Sequence, residues 1–350
     1  MTINYLKCEE LQNRIKKKRG RACKPWTIAI CLLAALNVLH IACQGSGQVK
    51  VDNKRLYLGK TMIPWYITYT RQLPPPSEIN ILLVPGEESE LILTGEPLGT
   101  RIPRRAEIGT YMKKLDDKSL EKAKELLIQA KAGESPEEVV LVPGTPLLAF
   151  GLGVNEEEIG ELASYPLTEH LPSVVEKFDN NMQEIASAML SYPYRTLRGS
   201  GGWDKSEFSA GEGLKFSLTL GNSGKVPLKF SNPAGADSDE SVGLTLFVES
   251  ESSVDDLDDD NSVFVEIKKS EVVQIDPQSG KTINSAKKIA DLSLNEKMLL
   301  QVTIDRMTYL SAGKYKGHVF LSSDGNDMDG EEVISGVLRT ELGSFSVVAK

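Results

Sequence analysis

Beyond residue 43 this sequence contains no cysteine: Cys8, Cys23, Cys31 and Cys43 are the only four in 350 residues. A disulfide framework and any thiolate metal site are therefore excluded from the remaining 307 residues. Histidine is almost as scarce. His40, His170 and His318 are the only three, and none has a second histidine at ligand spacing. No H-E-x-x-H, G-x-S-x-G, P-loop or G-x-G-x-x-G motif occurs, which removes the usual signatures of zinc proteases, serine hydrolases, NTPases and dinucleotide enzymes. Formal charge is absent from Trp26 to Cys43.

Charge elsewhere is unevenly placed. Residues 1–25 hold eight basic side chains against Glu9 and Glu10, whereas residues 44–350 carry 32 basic and 47 acidic groups, a net of −15. So acidic a body is repelled by phosphate backbones, which argues against a nucleic-acid partner. With 40% hydrophobic and 25% charged residues the composition is that of a globular protein. Its length suits two domains of about 100–200 residues each.

The basic segment "RIKKKRGRACKPW" followed by "TIAICLLAALNVLHIA" has the layout of an export signal. The 17 uncharged residues from Trp26 to Ala42 would make a helix about 26 Å long, at the lower limit of a membrane span. The tract "LHIAC" resembles a bacterial lipoprotein signal. Ala42 supplies the small residue before the cysteine, and His40 stands where leucine is usual. The resemblance implies cleavage before Cys43 and lipid attachment to it, with 43–50 ("CQGSGQVK") as a flexible tether. The alternative is an uncleaved signal or anchor over residues 1–42. Either way residues 44–350 are expected outside the cytoplasmic membrane.

Residues 51–200 read as a mixed α/β domain. "RLYL", "WYITYT", "INILLV" and "ELILT" are strand-like, the last two forming a hairpin through "PGEES". A helix is expected from Asp117 to Ala132 with Leu120, Ala123, Leu127 and Ala130 on its apolar face and Gly133 as its C-cap. "VNEEEIGELA" suggests a second, capped by Asn155. In "PSVVEKFDNNMQEIASAMLSYP" a stripe of Val175, Phe178, Met182, Ile185 and Met189 predicts a third, packed on its own sheet. "RGSGGW" then reads as a Gly/Ser-rich break between domains.

From 205 to 350 short alternating strands predominate, so the expected fold class is α+β: a mixed α/β region followed by an antiparallel β-sandwich. "LKFSLTLGNSGKVPLKFSNP" and "LSAGKYKGHVFL" resemble bacterial immunoglobulin-like modules, the first as strand, Asn-x-Gly turn and returning strand, the second as their penultimate "GxY" strand. The resemblance implies adhesion, ligand display or scaffolding, with no particular ligand.

Candidate chemistry is sparse. His318 is expected to face solvent from its strand. S-x-x-K spacing occurs at Ser119/Lys122, Ser285/Lys288 and Ser311/Lys314, and only Ser119 opens a helix. "DDLDDD" and "DGNDMDGEE" could offer oxygen ligands to calcium but read as solubilising loops. Tyr57, Trp65, Tyr66 and Tyr69 could stack on a sugar and read more simply as core. The expectation is a lipid-anchored cell-envelope protein of binding or scaffolding type, non-enzymatic, without cofactor or metal. Its partners would be the membrane and a possible envelope protein. The alternatives are an exported hydrolase with its site in residues 50–200, or a single-span component of a secretion or surface complex.

Overall fold

A computed structural model describes residues 65–349 apart from 74–76, 133–144, 155–161, 168–169, 236–240, 252–261, 286, 306–309 and 327–331. Cys43, its signal and tether, Tyr57, Gly133, Asn155 and the side chains of both aspartate-rich stretches lie outside the described residues. The first half contributes β1 (Trp65–Gln72), β2 (Glu78–Leu83), β3 (Glu88–Leu93), β4 (Glu107–Lys114), α1 (Asp117–Ala132), β5 (Leu147–Val154), β6 (Ala163–Pro166) and α2 (Ser173–Met189). Then come β7 (Pro193–Trp203), β8 (Glu207–Ser209), β9 (Leu214–Asn222), β10 (Leu228–Ser231), β11 (Ser241–Ser250), β12 (Val263–Lys268), β13 (Val272–Ile275) and β14 (Thr282–Ile283). The last four are β15 (Ile289–Leu292), β16 (Lys297–Ile304), β17 (Gly313–Asn326) and β18 (Glu332–Val348).

The fold is mostly antiparallel β. Eleven strands form one sheet in the order β14-β13-β16-β9-β7-β4-β3-β2-β1-β5-β6, and five form a second, β12-β11-β17-β18-β8. A separate pair joins β10 to β15. Among the described residues only the β18–β8 pairing is parallel. Both helices pack on the β1–β5 part of the large sheet, because the stripes expected from sequence are apolar at the right period. Leu120, Ala123, Leu127 and Ala130 of α1, and Val175, Phe178, Met182 and Met189 of α2, are all buried with Ile67, Tyr69, Leu91 and Phe150. The second core lies between the two sheets, where Phe216, Leu218, Leu220 and Leu300 meet Leu246, Val248, Val319 and Leu338. Burying each such side chain is worth roughly 1.5–3 kcal/mol.

"RGSGGW" is not a break. It is the second half of β7, which pairs with β4 through Ile108↔Leu197 and with β9 through Gly201↔Leu218. The inward positions of this half-strand are Leu197, Gly199, Gly201 and Trp203, so alternation is masked by glycine. Those glycines are required by proximity: a Cβ on Gly199 would lie 2.1 Å from Thr340 Oγ1, and one on Gly201 would lie 2.6 Å from Leu342 Cδ2. The bare backbone of β7 thus lies directly against β18. The described residues on both sides of this strand belong to one compact unit.

Three smaller expectations also change. "GNSGK" does not close a hairpin. β9 pairs with β7 and β16, while the chain after the turn crosses to pair with β15. Asn222 fixes the crossing by accepting from Gly224 N at 2.8 Å and donating to Val226 O at 2.9 Å and Leu292 O at 3.1 Å. Residues 155–161 of the second expected helix lie outside the described residues, and its last residue, Ala163, already opens the strand Ala163–Pro166. "VISGVLRT" and "SFSVV" are one strand of 17 residues, with positive φ at Gly336 and Gly343.

Gly199→Val is expected to lower stability by about 1–3 kcal/mol through overpacking against Thr340. Gly202→Ala, where a Cβ meets nothing within 4 Å, is expected to be silent. Urea midpoints of the two variants measure the difference.

Candidate binding face and buried polar sites

The outer face of the five-stranded sheet carries an aromatic row. Phe264 of β12, Phe247 of β11 and His318 of β17 are register partners across three strands. The two phenyl rings lie 4.5 Å apart, and Phe247 stacks on His318 at 6.2 Å with planes 19° apart. Phe264 is 67% exposed, the largest value among the exposed large hydrophobic residues described, and stands on the edge strand of its sheet. Leu246, Val248, Val265 and Ile267 point the other way into the core. Alternation therefore forces Phe264 and Phe247 outward, and nothing in core packing requires them there.

His318 is not solvent-facing. It is 2% exposed, because neighbours on its own face cover it. Arg339 Nη2 lies 3.2 Å from Nε2, and Glu249 Oε1 lies 3.4 Å from the same nitrogen. Burial, and then the Arg339 guanidinium, push its pKa below the ordinary histidine value. Arg339 is in turn ion-paired to Glu96 at 2.5 Å, in the β3–β4 connection. The face is rimmed by the Lys316–Glu341 pair at 2.9 Å, which lowers the pKa of Glu341 and raises that of Lys316.

Under the helices lies a second polar cluster. Asp179 of α2, 4% exposed, accepts from Tyr69 Oη at 2.6 Å, from Gln183 Nε2 at 2.8 Å and from Arg71 Nη1. Burial, and then Asp179, push the Tyr69 hydroxyl well above the ordinary tyrosine range, so it stays a donor. Gln183 Oε1 accepts from Arg101 N at 2.8 Å, which ties the β3–β4 connection to α2. Every partner of Asp179 is a donor, so the carboxylate is an acceptor hub that pins α2 to β1.

The remaining sequence candidates have structural roles. Trp65, Tyr66 and Tyr69 are buried, as the simpler reading held. Ser119 is half-buried and donates to the Asp116 carboxylate at the start of α1, at 2.9 Å, while Lys122 reaches Glu184 at 4.0 Å. Ser285 Oγ accepts from Asn232 at 3.1 Å, and the Ser311 carbonyl accepts from Tyr315 Oη at 2.9 Å. Glu107 lies 3.8 Å from both Arg105 and Arg198. An indentation of about 170 Å³, lined by Phe208, Leu214, Leu310 and Val347 among others, is smaller than the ~300 Å³ at which ligand pockets begin. Among the described residues no three His, Cys, Asp or Glu side chains are grouped to hold a metal ion.

No family model and no curated protein matches the chain. Among solved structures it is similar to a family 123 glycoside hydrolase from Clostridium perfringens, with 11% identity over 44% of this chain and 27% of that one, and a TM-score of 0.25. It is also similar to a CARDB domain from Pyrococcus furiosus, with 10% identity over 45% and 98% of the two chains and a TM-score of 0.22. A collagen adhesin from S. aureus covers 81% of this chain at 8% identity, with a TM-score of 0.14. At these TM-scores none of the three establishes a shared fold or activity.

Two outcomes are expected. Asp179→Asn leaves the Arg71 charge buried without its counter-ion and should cost about 3–5 kcal/mol in denaturant unfolding. For His318, the folded state binds its proton less readily than the unfolded chain, whose imidazole titrates near ~6.5. Stability should therefore fall as pH drops from about 7 through that value and level off below the lowered folded pKa. His318→Gln should flatten the melting temperature over that window.

Proposed function

We propose that this chain is a lipid-anchored protein of the cell envelope that binds or scaffolds another macromolecule through an immunoglobulin-like β-sandwich. The N-terminal address supports the anchor: a basic segment, 17 uncharged residues and Cys43 after Ala42. A tyrosine corner supports the immunoglobulin-like reading. Tyr315, third residue of β17, bonds its hydroxyl to the backbone four residues upstream, as in sandwiches of that superfold. Trp203 adds a half-buried anchor, its Nε1 donating to Gly343 O at 2.9 Å amid Phe208, Phe216 and Phe345.

The observation that carries the binding part is Phe264. An aromatic ring two-thirds exposed on an edge strand, backed by Phe247 and rimmed by charge, has the make-up of an interaction hot spot. The mixed helix–strand portion up to about residue 200 supports this sheet through the Glu96–Arg339 pair and the bond from Val337 N to Thr94 O at 2.7 Å.

The anchor is tested by the intact mass of protein extracted from membranes. The expected species begins at Cys43 and carries lipid mass, and Cys43→Ser should leave an uncleaved precursor. A full-length species without lipid would mean a retained span. The binding face is tested by a photo-crosslinking side chain at position 264, which should give a discrete adduct in envelope preparations. The same group at exposed Ser279 should give none.

A further inference from the structure

We propose that the β3–β4 connection, with the exposed Arg198 of the adjoining strand β7, is a face that docks on an anionic membrane surface. The proposal rests on the anchored reading above. In a body of net charge −15, Arg101, Arg104 and Arg105 come within five residues, and Arg198 joins them from β7. All four are exposed. Their local counter-charges are largely covered: the side chains of Glu96 and Glu107 are only 16% and 10% exposed. Arg104 and Arg198 each touch a carboxylate through Nε at 3.8 Å, which leaves the terminal nitrogens of the fork for an outside acceptor. Four planar guanidinium groups without an enclosing pocket suit phosphate groups arrayed on a surface.

Apolar and aromatic groups at the same face favour a bilayer over an acidic peptide. Leu98 is 41% exposed in the same connection. Arg105 Nη1 donates to Leu190 O at 3.0 Å, two residues before Tyr192, which is 40% exposed with Lys113 Nζ 4.7 Å above its ring. Arginine, lysine, tyrosine and leucine together are the side chains that settle at a lipid headgroup boundary. The connection is also held in place. Arg101 N donates to Gln183, Thr100 Oγ1 donates to Pro97 O, and Ile102 is buried. If Cys43 is lipidated, residues 44–64 cannot carry the body more than about 75 Å from the bilayer even when fully extended. The acidic remainder is repelled by an anionic leaflet, which favours approach through the arginine face.

The test uses the full chain with phosphatidylcholine vesicles and with vesicles enriched in phosphatidylglycerol. Amide hydrogen exchange over residues 96–106 is the local readout. Each basic side chain at an anionic leaflet favours the docked state about fivefold. Exchange is therefore expected to slow several-fold on the anionic vesicles only, and the effect should vanish in high salt. The double variant Arg104→Glu/Arg198→Glu should abolish it while exchange in α2 stays unchanged. Equal exchange on both vesicle types, or protection that survives in the double variant, would overturn the proposal. So would protection by soluble polyglutamate but not by anionic vesicles, which would make an acidic protein the partner. Flotation with neutral vesicles separately tests the anchor: failure to float would defeat that reading, while the exchange difference would still decide the docking face.

Discussion

The direct contact of β7 with β18 is the constraint on which most of the structure depends. β7 belongs to both halves of the large sheet, pairing with β4 on one side and β9 on the other. Its inward glycines let Thr340 and Leu342 rest on backbone, and Gly317 accepts Trp203, whose Cζ2 would lie 2.2 Å from a Cβ there. Side chains at those glycines would push the two sheets apart where β7 packs on β18. The Trp203–Gly343 bond and the Thr94–Val337 bond would then lose their geometry.

Charge is used within this frame mainly to hold elements together. Asp179 fixes α2 to β1, Glu107 joins the start of β4 to β7, and Glu96 links the β3–β4 connection to Arg339 and so to the cover over His318. A buried carboxylate surrounded by guanidinium groups has its lone pairs committed, which suits positioning more than proton transfer. Among the described residues, two surfaces remain chemically open. One is the aromatic row at Phe264, and the other is the arginine-rich face of the β3–β4 connection, whose cations exceed their counter-charges.

Local pattern was enough to find much of this. The stripes of α1 and α2 are simple 3.6-residue periods of apolar residues, and the structure buries those residues, while the polar Asp179 and Gln183 that α2 buries beside its stripe carry no such signal. β9 and β16 alternate just as cleanly. β7 did not read as strand because glycine at inward positions has no hydrophobic signal, and its composition is also that of a linker. His318 read as exposed for a related reason. Alternation gave its face correctly, but whether that face is wet depends on Phe247 and Glu249 of β11 and Arg339 of β18, the strands on either side.

The sequence by itself determined the uneven charge, the cysteine confined to the N-terminus, the two amphipathic helices and the predominance of strands. These are properties of composition and of near neighbours along the chain. Only the tertiary structure decided that one strand unites the two halves of the large sheet, that Asn222 marks a crossing between sheets, and that Arg339 reaches Glu96 across 243 residues. Those outcomes depend on which surfaces meet. Glycine at a close approach, or a salt bridge between distant segments, carries no periodic signature from which its partner could be read.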